Sequence, residues 1–265
     1  MQRTVSASLD LTLDGPATLV LAVAVSRLGR GRFDERLVIE HDGRVLEPQE
    51  LTDAVGTRLH RVLADPGRVT VRYDAEVRGQ AAPAPFEPLD LITYLRPSRY
   101  CESDVLLQTA TQEFAGLTGK DLLDGVSSWV GSRLSYVPGA SGPTDGALVT
   151  LDVQRGVCRD YAHLVVGLLR ALDVPARLAA VYAPGLAPMD FHAVAEAWVG
   201  DGWQVVDATL LAPRSSLLRI ATGRDAADTA FLTSHGGLVT LDSIEVSATA
   251  DALPADDVRE LVQLR

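Results

Sequence analysis

Cysteine is scarce in this 265-residue sequence: Cys101 and Cys158 are the only two. Neither CxxC nor HExxH occurs, so no metal site is expected. No apolar run approaches the ~20 residues needed to cross a bilayer. The opening stretch MQRTVSASLDLTLDG alternates polar and apolar residues where a signal peptide would present an apolar core. Together these absences predict a cytoplasmic protein with reduced thiols and no membrane contact. Basic charge is also short, since 24 Lys and Arg against 35 Asp and Glu leave a formal net charge of −11. With no local basic cluster, that balance disfavours nucleic acid as a partner. Repeats and low-complexity tracts are missing as well. What remains is an ordinary globular composition, 47% hydrophobic and 22% charged, long enough for one large domain or two small ones.

The first part of the chain has the two-residue period of strands. Val5, Ala7, Leu9, Leu11 and Leu13 alternate with polar neighbours, Gly15-Pro16 turns, and Leu19 to Val25 resumes the period. His41-Asp42-Gly43 and Ala64-Asp65-Pro66-Gly67 read as turns between further strands. An antiparallel β-sandwich over residues 1–85 is the expectation. The proline-rich stretch from Gln80 to Pro88 marks the boundary, and residues 86–265 form the second domain. There the period becomes helical, with helices expected through about Ala115 and from Lys120 to about Leu134. Ala176 to Tyr182 reads as a strand, Leu238 to Val246 as a strand returning to the sheet, and residues 251–265 as a short helix.

Between them lies Gly156-Val157-Cys158-Arg159-Asp160-Tyr161-Ala162-His163, followed by an apolar run to Leu172. A thiol on the first turn of a helix meets free backbone N–H groups and the positive end of the helix dipole, both of which favour thiolate. The rival reading is a buried cysteine acting as a small hydrophobe. Arg159, His163, Arg170 and Asp173 form one narrow polar stripe on this helix. Cys101, also near a helix start, lacks a preceding glycine and is followed by Glu102, which points to a structural role.

A thiol nucleophile needs a base, and the base needs a group to orient it. His163 falls about 140° around the helix from Cys158 and is excluded; His235 lies in a flexible context. His192 begins a strand, and the strand from Trp203 to Asp207 follows Gly200-Asp201-Gly202, a hairpin signal. Pairing through an Asp201-Gly202 turn puts Gly200 opposite Trp203 and Asp207 opposite Glu196. Parity then places Asp207 on the face of His192, but a four-residue stagger spans ~13 Å.

These blocks, with Val174-Pro175-Ala176-Arg177, Asp190-Phe191-His192-Ala193, Glu196-Ala197-Trp198 and Val206-Asp207-Ala208-Thr209, resemble the transglutaminase-like superfamily. The nearest likeness is its bacterial cysteine-protease branch, whose members carry an N-terminal β-domain. Pro97 to Cys101 and Tyr136-Val137-Pro138-Gly139 resemble that branch too. The resemblance implies an α+β, papain-like catalytic domain in which a Cys-bearing helix packs on an antiparallel sheet. It also implies a Cys158–His192–Asp207 triad acting on a peptide or protein substrate through a thioester. Val194 stands where the family usually has Trp, and Ala208 where it has Pro, which bears on the wall near the thiolate. Gln154 is a candidate second oxyanion donor. Acyl transfer to an amine, as in a transglutaminase, is the close alternative, and a non-catalytic binding module on the same fold is the other. Arylamine acetyl transfer would need a coenzyme A site, for which no phosphate cradle exists; no cofactor is expected.

Overall fold

The computed structural model describes residues 1–28 and 32–265. Seven strands come first: β1 (Gln2–Leu13), β2 (Ala17–Leu21), β3 (Arg32–His41), β4 (Arg44–Leu46), β5 (Gln49–Thr52), β6 (Arg58–Ala64) and β7 (Gly67–Arg78). Alternation in β1 buries Val5, Ala7, Leu9, Leu11 and Leu13, as the sequence pattern requires. Asp42 and Gly43 both have positive φ (46° and 77°) and close the β3–β4 hairpin between His41 and Arg44. That backbone matches the twist of the flanking strands.

A helical stretch follows, with α1 (Pro88–Thr93), α2 (Ser103–Glu113), α3 (Gly119–Arg133), β8 (Ser135–Tyr136), α4 (Ala147–Val153), β9 (Arg155–Gly156) and α5 (Cys158–Ala171). Then come β10 (Ala176–Tyr182), β11 (Phe191–Val199), β12 (Gly202–Val206), β13 (Leu218–Gly223), α6 (Ala226–Thr229), β14 (Leu232–Gly236) and β15 (Val239–Ala250). The class is α+β with mostly antiparallel sheets, as expected.

Two sheets, β15-β1-β7-β3-β4 and β14-β2-β6-β5, enclose one core containing Leu9, Leu11, Leu19, Leu21 and Val71. The third sheet, β12-β11-β10-β13, carries α5 on one face. Ala195 and Ala197 of β11 present small side chains there, so Leu164, Val165 and Leu168 of the helix pack closely. Its other face, with Val181, Val194 and Val205, packs on Leu217 and Leu264.

The division at residues 85/86 requires correction. β15 pairs along nearly all of β1, and β14 pairs with β2, so residues 232–250 complete the sheets begun by residues 2–78. β15 covers the edge of β1 that β7 leaves open, and an uncovered edge of that length would be a site of misassociation. The shared core extends to Tyr182, Leu218 and Ile220 of the third sheet. The stretch 251–265 is also not a helix. It runs as a strap in which Val262 accepts a backbone hydrogen bond from Val205, Asp256 pairs with Arg214, and Leu264 is buried.

Residues 79–87 lie outside any helix or strand and are mostly exposed, which makes them the expected point of limited proteolysis. Because β14 and β15 belong to the sheets on the other side of that nick, the two fragments should co-elute in native gel filtration and separate only in denaturant. Separation without denaturant would contradict the interleaved arrangement.

Candidate active site

Helix α5 begins at Cys158, and its first turn is fixed by its own third residue. The buried Asp160 carboxylate accepts the Val157 N–H at 2.8 Å and the Ser141 hydroxyl. Its other oxygen accepts from Arg159 Nε and Nη2 at 3.1 and 2.8 Å. Arg159 reaches on to the Gly142 carbonyl at 2.8 Å, tying the 137–146 loop to the helix start. Gly156 makes room for this cap, since a Cβ there would lie 2.7 Å from Asp160. Capping consumes the Val157 N–H and leaves that of Cys158 with no acceptor within the helix.

Of the rest of the polar stripe, His163 and Arg170 are internal, while Asp173, beyond the end of α5, is exposed. Arg170 is buried and donates to the carbonyls of Ala176, Arg96 and Arg224 and to Ser98 Oγ. His163 is buried against the Tyr100 ring and accepts the Ala226 N–H at 3.1 Å. Burial pushes its pKa down to about 4, so it is a neutral structural acceptor.

His192 is the second residue of β11. Its Nε2 lies 2.9 Å from Asp207 Oδ2, and both side chains are buried. The second Asp207 oxygen accepts from the Thr209 N–H at 2.9 Å and hydroxyl at 2.7 Å, which holds the carboxylate in place. Sequence spacing had left a gap between these residues, and the turn explains how it closes. The loop is Gly200-Asp201, both with positive φ, rather than Asp201-Gly202. Val199 therefore pairs with Gly202 and Ala195 with Val206, so the position opposite Asp207 is Val194. His192 is then one diagonal step away on the same face, within reach of the two side chains.

Burial works against charge on His192, but the Asp207 carboxylate overrides it and raises the pKa to about 10. Burial likewise opposes charge on Asp207, and the imidazolium with the Thr209 hydrogen bonds holds it below its ordinary value. The Cys158 thiol completes the group: Sγ lies 4.0 Å from the Phe191 carbonyl oxygen and acts on His192. His192 Nδ1 is buried without a hydrogen bond of its own. The thiol thus stands beside the ring.

Cys101 is fully buried, and burial pushes its thiol well above the ordinary range, so it is the inert cysteine. Gln154 caps α4 in a left-handed conformation (φ 54°) and is exposed. It contributes its carbonyl, which accepts from the Ser135 N–H, and its amide joins none of the site's hydrogen bonds. Val194 is 1% exposed and packs in the layer with Val205 and Leu217, so it forms no accessible wall. A residue that spacing did not single out stands in the site instead. Tyr136 in β8 pairs with Gly156, and its hydroxyl lies against Cys158. Burial and the neighbouring thiol push the Tyr136 pKa to about 12.

The family model of the transglutaminase-like superfamily matches residues 109–208, which contain Tyr136, Cys158, His192 and Asp207. The crystal structure of a "putative cysteine protease" from Cytophaga hutchinsonii superposes with a TM-score of 0.86 at 30% identity, over 98% of this chain and 96% of that one. The chain belongs to the transglutaminase-like superfamily. An uncharacterised Mycobacterium leprae protein is 31% identical over 113 residues, spanning 38% of this chain and 39% of that relative. Superfamily membership accounts for the papain-like arrangement of a helix N-terminus against an antiparallel sheet. Among the described residues no helix is long and apolar enough to cross a membrane.

Proposed function

We propose that this protein is a thiol-dependent hydrolase of peptide or side-chain amide bonds, using Cys158 as nucleophile, His192 as acid and base, and Asp207 as the orienting group. The observation that carries the reading is the His192–Asp207 contact of 2.9 Å, with the other ring nitrogen buried beside the thiol. Cys158 thiolate attacks the amide carbonyl carbon, and the C–O π pair moves to oxygen, where the Cys158 N–H stabilises it. Collapse breaks the C–N bond, and His192 imidazolium gives its proton to the leaving amine. His192, now neutral, takes a proton from water as that water attacks the thioester; collapse releases the carboxylic acid and regenerates the thiol. An amine in place of water gives the transglutaminase outcome from the same thioester. Two unpaired thiols favour a reducing compartment, and cytoplasm is our assignment.

Iodoacetamide at neutral pH, with sites mapped by mass spectrometry, tests the nucleophile. Cys158 should be modified first, and Cys101 only on unfolding. Faster labelling of Cys101 would overturn the assignment.

A further inference from the structure

We propose that the protein binds a small monovalent anion, of the size of chloride, in a cavity at the seam between the β-sandwich and the sheet that carries His192. Arg3, near the start of β1, is the group that points to it. Its side chain is buried (1% exposed), yet it pairs with no Asp or Glu among the described residues. Nη1 donates to the main-chain oxygens of Leu217 and Arg265 at 3.3 and 3.1 Å, and Nη2 to that of Gly79 at 2.6 Å. Nε is buried and has no hydrogen-bond partner. A guanidinium stays protonated at any ordinary pH, and a buried charge without a counter-charge is costly. Burial lowers the Arg3 pKa, and no carboxylate offsets that effect.

The charge beside Arg3 has the same sign. Arg219 and Arg177, both buried, share one carboxylate: Glu196 accepts from Arg219 Nη1 and Nη2, each at 2.7 Å, and from Arg177 Nε at 2.9 Å. Arg177 Nη1 and Nη2 are buried without a hydrogen bond. Three buried guanidiniums at this seam thus stand against one buried carboxylate, in a chain whose net charge is −11. Arg3 and Arg219 line one cavity with Val25, Val77, Leu218 and Leu264, and no Asp or Glu lines it among the described residues. The space open to the centre of a water-sized sphere is about 40 Å³. One water needs about 10–15 Å³ by that measure, so the cavity takes an ion of very few atoms and excludes a nucleotide or a peptide. Its walls fix the sign of the ligand, and its volume fixes the size.

A bound anion gives Arg3 its counter-charge and reduces the positive excess of the Arg177–Glu196–Arg219 cluster, in surroundings where charges are little screened. Arg3 lies on β1, Arg219 on β13 and Glu196 on β11, so one ion ties the sandwich to the sheet that holds the base. An ion held by the folded state alone raises stability as the site fills.

Thermal melting at constant sodium concentration, with gluconate replaced stepwise by chloride, reads the site. Wild type should gain about 3 °C or more, and the gain should saturate at millimolar chloride where a general salt effect would keep growing. Arg3→Met should show no saturable gain. Wild-type crystals soaked in bromide should give an anomalous peak in the cavity, in contact with the Arg3 guanidinium, and this result decides the matter if Arg3→Met does not fold. Chloride-independent melting of wild type would mean that the chain's own oxygens suffice for Arg3, and would overturn the inference. A saturable gain that survives in Arg3→Met, or a bromide-soaked crystal without that peak, would overturn it as well.

Discussion

Cys158→Ala and His192→Ala should each abolish amide turnover, and the double variant should be no worse than either alone. In the proposed mechanism the thiol supplies the bond-forming electron pair and the imidazole moves every proton, so removing one leaves the other nothing to do. For His192→Ala the expected loss in kcat is about 10³-fold or more, from the general acid–base step and the lost imidazolium together. Asp207→Ala should cost less, about 10²-fold, because an unanchored imidazole still meets the thiol part of the time. Losses that multiply in the double variant would show that the two residues act in separate steps. His163→Ala is a catalytic control only: its buried contacts with Tyr100 and Ala226 mean that it should lower stability while sparing reactivity at Cys158.

Glu196→Ala should destabilise the protein by about 3–5 kcal/mol, the cost of leaving buried charge unpaired. Glu196 is fully buried in β11, four residues along from His192. It accepts from Arg177 Nε at 2.9 Å and from both terminal nitrogens of Arg219 at 2.7 Å. Arg177 also lies over the Trp203 ring at 3.8 Å. The cluster joins β10, β11, β12 and β13, the sheet that carries the base. Burial would raise the Glu196 pKa, but the two guanidiniums outweigh it and hold the value at about 2. A carboxylate depressed in this way contributes stability that is fully present above its unfolded value of about 4.3 and lost as pH falls through about 2. Urea titrations should therefore show the penalty of Glu196→Ala in full at pH 7 and much reduced near pH 2. A penalty below about 1 kcal/mol at pH 7 would contradict the account.

The fold was legible where local patterns decide structure. Alternation in residues 5–13, the Asp42-Gly43 turn and the apolar run after Cys158 each specify an element by themselves. Pairing choices at long range were not legible. Nothing local in residues 239–250 says that they pair with residues 3–13 rather than with the nearer sheet. The His192–Asp207 contact was half legible: parity placed both on one face, but Gly200-Asp201-Gly202 offers two overlapping turns. The structure takes the first, which leaves Gly202 as a strand residue beneath Gln263. Gln154 is near Cys158 in sequence but is an exposed helix cap, whereas Tyr136 reaches the thiol through a two-residue bridge too short to leave a pattern. Asp160 carried a visible signal, an acidic residue at the third position of a helix, and the polar stripe concealed it.

The central claim is that His192 serves the Cys158 thiol. Its most direct test is the rate of Cys158 alkylation by iodoacetamide across pH 5–10, in wild type and in His192→Ala. The imidazolium that Asp207 maintains up to about pH 10 should keep the wild-type rate high in acid, at least tenfold above the variant at about pH 6. Superimposable profiles would mean that the imidazole does not act on the thiol, and the triad would not exist as a working unit.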